Sequence, residues 1–169
     1  MQISDGERLI AVMIADLMQA LKVDTELDPA KIKRLLTSRH EWALAWKYPG
    51  IFEGKAPSDA QVDETAEILQ MWSWIERSVE ELDEPAKSEI KARRWQFSGF
   101  DGNNDRHYAI AATIIEELDQ FQEFRGRGLN SHSQATLPRY RSMLGLFAEL
   151  KRAKAGENLT AEELRRLLA

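Results

Sequence analysis

The stretch Phe97-Ser98-Gly99-Phe100-Asp101-Gly102-Asn103-Asn104-Asp105-Arg106-His107 gathers more chemically competent side chains than any other part of this sequence. A carboxylate and an imidazole in one loop, Asp101 and His107, are the components of a general acid–base pair and are the two catalytic candidates. Asp101, Asn103 and Asp105 copy the opening of a calcium loop. The sixth position should then be glycine and the twelfth a bidentate glutamate, but they are Arg106 and Ala112, which excludes an EF-hand. The plain structural alternative is a glycine-assisted turn whose Asx side chains bond local amides and cap the next helix, with Asn104 as the cap.

A second loop, Arg125-Gly126-Arg127-Gly128-Leu129-Asn130-Ser131-His132, places two arginines among glycines, a composition able to hold a phosphate or carboxylate through charge-assisted hydrogen bonds. Its spacing matches neither a Walker loop nor a dinucleotide fingerprint, and C-capping by Gly126 or Gly128 is the plainer role. The candidate ligand-binding set is therefore Phe100, Asp101, Asn103, Asn104, His107, Arg125, Arg127, Asn130 and His132. Neither a G-x-S-x-G nucleophile elbow nor an H-E-x-x-H pair occurs. The chain has no cysteine and only three histidines, so neither a metal site nor a cofactor is expected.

The elements that must position these loops read as helices. Capping boxes stand at Ser4 with Glu7, Ser58 with Gln61 and Thr160 with Glu163, and Asp28-Pro29 and Asp83-Glu84-Pro85 are further helix starts. Ile10, Met13, Ile14, Leu17 and Leu21 keep a helical period, as do Val62, Ala66, Leu69, Trp72, Ile75 and Val79. A short helix around Trp42 to Trp46 should end at Pro49-Gly50, with a loop from Ile51 to Pro57. The five tryptophans are read mainly as core residues. Trp72 and Trp74 point to different helix faces, so one of them should meet another helix or a partner. Leu17, Leu69, Ile115, Leu144 and Phe147 are expected in the core. Trp95 and Phe97 suggest a short extended segment before the Asp101 turn. If one helix runs from Asn104 to Phe124, its ends lie about 30 Å apart. The two polar loops would then meet only across a subunit boundary.

The expected fold is thus all-α, a single compact domain over residues 1–169 with seven to eight helices. The chain is 169 residues long and 43% hydrophobic, with a net charge of −5. That acidity argues against direct nucleic-acid binding. Residues 61–90 hold nine acidic and two basic side chains, residues 121–169 five acidic and nine basic. These are read as solvated helix faces. The sequence shows neither a basic leader nor an apolar run of spanning length, so a cytoplasmic protein with no membrane association is expected.

Five blocks carry a resemblance: Trp42-Ala43-Leu44-Ala45-Trp46-Lys47-Tyr48, Met71-Trp72-Ser73-Trp74-Ile75-Glu76, Phe100-Asp101-Gly102-Asn103-Asn104, Leu129-Asn130-Ser131-His132 and Tyr140-Arg141-Ser142-Met143-Leu144. In this order they resemble the YfbU-like family of bacterial and archaeal proteins. Asp105 stands where that family more commonly has glutamate. The resemblance implies a mostly helical fold with no established reaction. Some relatives are joined to a DNA-binding segment, which implies a sensory or regulatory role for the shared domain.

The functional expectation is a helical ligand-binding or regulatory module that forms a homo-oligomer and takes a small-molecule or protein partner. The alternative is a hydrolase-like enzyme built on Asp101 and His107. On the binding reading, Asp101→Ala and His107→Ala should melt close to the wild type.

Overall fold

The computed structural model describes residues 3–52, 56–154 and 156–169. Every regular element among them is helical, and one isolated β-bridge joins two loops. The all-α class is as expected. The chain divides into two compact units, residues 1–56 and 57–169.

The first unit contains α1 (Asp5–Ala20), α2 (Pro29–Thr37), α3 (Trp42–Lys47) and α4 (Pro49–Phe52). Ser4 and Glu7 close a reciprocal capping box, and the Asp28 carboxylate accepts the Lys31 N–H at 2.9 Å. Pro49 opens a further helical turn because proline at a first helical position loses no intrahelical bond. That turn takes up Ile51 and Phe52 of the expected loop, and residues 53–55 of it lie outside the described residues. The unit is held by a shielded ion pair: Arg8 clamps Glu41 with bonds of 2.9 and 3.0 Å and also donates to the Leu36 carbonyl at 2.9 Å. The Arg8 guanidinium holds the Glu41 carboxyl down at about 2.

Among the described apolar side chains of this unit, only Ala15, Leu36 and Leu44 are fully buried. Leu17, expected in the core, is 57% exposed. Helical periodicity marks an apolar face without saying what covers it, and α1 is apolar nearly all round, with Ala15 its one buried residue. The expectation for the tryptophans also fails here. Trp42 and Trp46 meet edge to face at 5.7 Å and both are exposed.

The second unit is built around α5 (Asp59–Glu80), which touches α6 (Glu84–Lys91), α7 (Arg106–Ala112), α8 (Leu137–Lys154) and α9 (Ala161–Leu167). Contact with so many helices explains why α5 is buried on both sides of its apolar stripe. Trp72 packs on Tyr140 and Trp74 on Phe147, one and the same helix receiving both seven residues apart. Neither tryptophan therefore needs a partner molecule. Leu69, Ile115 and Phe147 are buried as expected, and Leu144 is half-buried against the same core. The Trp95–Phe97 segment forms no strand.

The helix expected from Asn104 to Phe124 is broken. Asp105, not Asn104, occupies the N-cap of α7, and α7 widens after Ala112 into a π turn, Thr113–Glu117. Asp119 and Phe121 then adopt left-handed φ values of 52° and 50°, and the chain doubles back into a 3-10 turn, Gln122–Phe124. The Gln120 N–H donates to the Ile114 carbonyl at 3.0 Å across this reversal. A rod about 30 Å long is replaced by a hairpin, so the two polar loops meet within one chain.

Candidate functional site

The meeting point is a parallel bridge between Phe100 and Asn130. The Phe100 N–H donates to the Leu129 carbonyl at 2.8 Å, and the Ser131 N–H donates to the Phe100 carbonyl at 2.8 Å. Gly99 makes the crossing possible. Its φ is +77°, and a Cβ there would sit 2.1 Å from the Leu129 carbonyl oxygen. The Gly99 carbonyl in turn accepts from the Thr136 hydroxyl at 2.8 Å and the Tyr140 hydroxyl at 3.1 Å, tying the crossing to α8. The Asn130 side-chain oxygen accepts N–H bonds from Gly102 and His132 at 3.2 and 2.8 Å, and the Asn103 amide reaches Ser133 Oγ at 3.1 Å.

Asp101 is 5% exposed and faces inward to its own turn. Its carboxylate accepts the Asn104 side-chain amide at 2.7 Å and the Asn103 N–H at 3.0 Å, and these bonds hold its carboxyl below the usual range. His107 turns elsewhere. Its Nε2 lies 2.8 Å from Glu64 Oε2 on α5, and its ring rests on Phe100 at 5.6 Å. Glu64 also takes Arg141 of α8 in a two-pronged bond of 2.7 and 2.9 Å. Arg141, opposed by burial and helped by His107, lowers the Glu64 carboxyl from 4.5 to about 2. His107 Nδ1 is buried and makes no hydrogen bond to the described residues. Asp101 and His107 thus hydrogen-bond to different partners and are not joined as an acid–base pair.

Both arginines of the second loop are bound by the protein itself. Arg127 forms a two-pronged pair with Glu76 at 2.6 and 3.1 Å and lies over the Phe124 ring, while Glu76 also accepts the Phe97 N–H at 2.7 Å. Arg125 donates to Asp119, Gln122 and the Glu116 carbonyl, stapling the hairpin. Of the candidate set, Asn103, Asn104, Arg125 and His132 are exposed. The residues missed by sequence reading are Glu64 and Arg141. They stand 77 positions apart, and nothing local to either signals the other.

Since Asp101 is satisfied by its own turn, Asp101→Ala should lower the melting temperature by about 3 to 8 °C, not leave it unchanged. Differential scanning calorimetry distinguishes the two, and wild-type melting would assign Asp101 to a ligand instead.

The fold and site define an all-helical protein whose polar loops are braced against one another over a Glu64–His107–Arg141 cluster. The chain belongs to the YfbU family, whose domain it matches over residues 1–169. Neither a curated protein nor a solved structure matches it. No helix among the described residues is long and apolar enough to cross a membrane.

Proposed function

We propose that this chain is a regulatory or interaction module that works as a homo-oligomer in the cytoplasm, assembled through α1. The observation that supports this is the outer stripe of that helix. Leu9, Ile10, Met13, Ile14, Leu17 and Leu21 are each 51 to 66% exposed. Monomeric proteins seldom leave so continuous an apolar surface in water. Outside the first unit, Leu118 is the one large apolar side chain that is exposed among the described residues, so the matching apolar surface is a second copy of the same unit.

An antiparallel pairing with its two-fold axis between Met13 and Ile14 sets Ile10 opposite Leu17 of the second copy. The same register sets Asp5 opposite Lys22, an acid against a base at each end. Both copies bury the stripe, for a gross gain of about 10 to 20 kcal/mol. Association costs about 4 to 15 kcal/mol, so a stable pair is within reach. A hydrolase reading would require His107 to leave Glu64 and turn to Asp101, and no contact in the site favours that move.

Sedimentation velocity tests the reading. The wild type should be a dimer at about 50 μM, and Met13→Asp should be monomeric with an unchanged far-ultraviolet spectrum, since Met13 is 62% exposed. A wild type that remains monomeric, or a Met13→Asp variant that remains dimeric, would overturn it. A monomeric wild type that floats with liposomes would assign the stripe to a bilayer surface.

A further inference from the structure

A cavity of about 390 Å³ lies between α5 and α8, and its lining includes no residue of either polar loop. From α5 it takes Gln70, Ser73, Trp74 and Arg77, which follow one another at the spacing of a single helix face, and from α8 it takes Phe147 and Lys151, one turn apart. Its charge is out of keeping with its surroundings. Residues 61–90 carry nine acids and two bases, yet the positions lining the cavity hold none of those acids and one of the two bases.

The two cations are positioned without being neutralised. Lys151 Nζ donates to the Gln70 side-chain oxygen at 2.6 Å, and Arg77 Nε donates to the Asn158 side-chain oxygen at 3.2 Å. Both acceptors are neutral amides, and among the described residues neither cation forms an ion pair, in contrast to Arg127 and Arg141. The donors left over on the ammonium and the guanidinium are the kind that grip a carboxylate or a phosphate.

The walls are aromatic. Trp74 and Phe147 are buried with their rings edge to face at 5.8 Å, and the Trp74 indole N–H is already taken by the Glu157 carbonyl at 2.9 Å, so these rings offer apolar surface only. Phe121 contributes a third ring from a left-handed backbone position that aromatic residues rarely occupy. Aromatic walls, with Lys151 Nζ 5.8 Å over the Phe147 ring and two exposed cations outside any ion pair among the described residues, suit a flat apolar body carrying one anionic group.

We propose that this cavity binds a small organic anion with a flat apolar body, its anionic group held by Arg77 and Lys151. The proposal is independent of self-association through α1, and it holds for a monomer as for a dimer. Isothermal titration calorimetry with 3-phenylpropionate, phenyl phosphate and the neutral 3-phenylpropionamide tests it on the full chain. At least one anion should bind, about tenfold or more tighter than the amide, and Lys151→Met and Arg77→Met should each weaken it by about tenfold. Arg166→Met, an exposed cation outside the cavity, should leave the affinity unchanged. Preference for phenyl phosphate or for 3-phenylpropionate assigns the anionic group as phosphate or carboxylate. Absence of binding by both anions up to about 10 mM, or equal binding of the amide, would overturn the proposal. So would cavity variants that bind like the wild type. If a cavity variant fails to fold, the comparison of anions with the amide on the wild type decides alone.

Discussion

Gly99→Ala should leave little folded protein. The added methyl would meet backbone on its far side, 2.1 Å from the Leu129 carbonyl oxygen and 2.4 Å from its carbon, and Leu129 is held there by the Phe100 N–H. The backbone at Gly99 is also left-handed, which alanine resists. Relief requires pulling the two loops apart, and that breaks both Phe100 bridge bonds and the Gly99 carbonyl's bonds to Thr136 and Tyr140. The expected loss is about 4 kcal/mol or more. Gly102→Ala is the control. A methyl there would first meet the Asn130 side-chain amide, at 2.7 Å, whose displacement strains its bonds from the Gly102 and His132 N–H groups but moves no backbone, so a smaller loss of about 2 kcal/mol is expected. Urea unfolding followed by circular dichroism measures both, and a Gly99→Ala loss below about 1 kcal/mol would show that the bridge yields easily.

That bridge also marks the limit of what the residues disclose on their own. Helix starts were legible because a capping box is a local exchange of two bonds across four residues, and Ser4, Ser58 and Thr160 all make it. The hairpin after Ala112 was illegible because no glycine or proline announces it. Thr113 to Phe121 read as an ordinary amphipathic helix, and the reversal is fixed by side-chain bonds that close only once the chain has turned back, such as Arg125 on Asp119 and the Gln122 amide on the Ile115 carbonyl, at spacings that no helix-stop motif records. Misreading that one element separated loops that in fact touch. It also made Arg125 and Arg127 look free for a ligand when each closes a tertiary contact. The α1 stripe fails in the opposite way. Its period was read correctly, but periodicity reports an apolar face and is silent on whether the chain itself covers it, as exposed Leu17 shows.

The site's electrostatic centre, Glu64, should give the protein a measurable acid sensitivity. Its carboxyl falls from 4.5 to about 2, first through the Arg141 bond and then through His107, against the opposing effect of burial. A carboxyl depressed on folding stabilises the folded state above its unfolded value, and that contribution is lost as pH falls through the folded value. The window therefore runs from about pH 4.5 down to about pH 2. The full shift would correspond to about 3 kcal/mol, but Arg141 is 54% exposed, and solvent screening reduces the expectation to about 2 kcal/mol. Glu41 and several other carboxyls are also depressed, so the wild-type acid profile alone cannot isolate this cluster. The difference between wild type and Glu64→Gln can. Glu64→Gln keeps the size of the side chain and removes its charge, so it should cost about 2 kcal/mol at pH 6 and progressively less as pH drops below 4.5. Urea unfolding of both proteins at pH 6, 4, 3 and about 2.5 reads the difference directly. A gap that stays constant over that range would mean that Glu64 acts by packing, and that the charge it shares with His107 and Arg141 does not hold α5, α7 and α8 together.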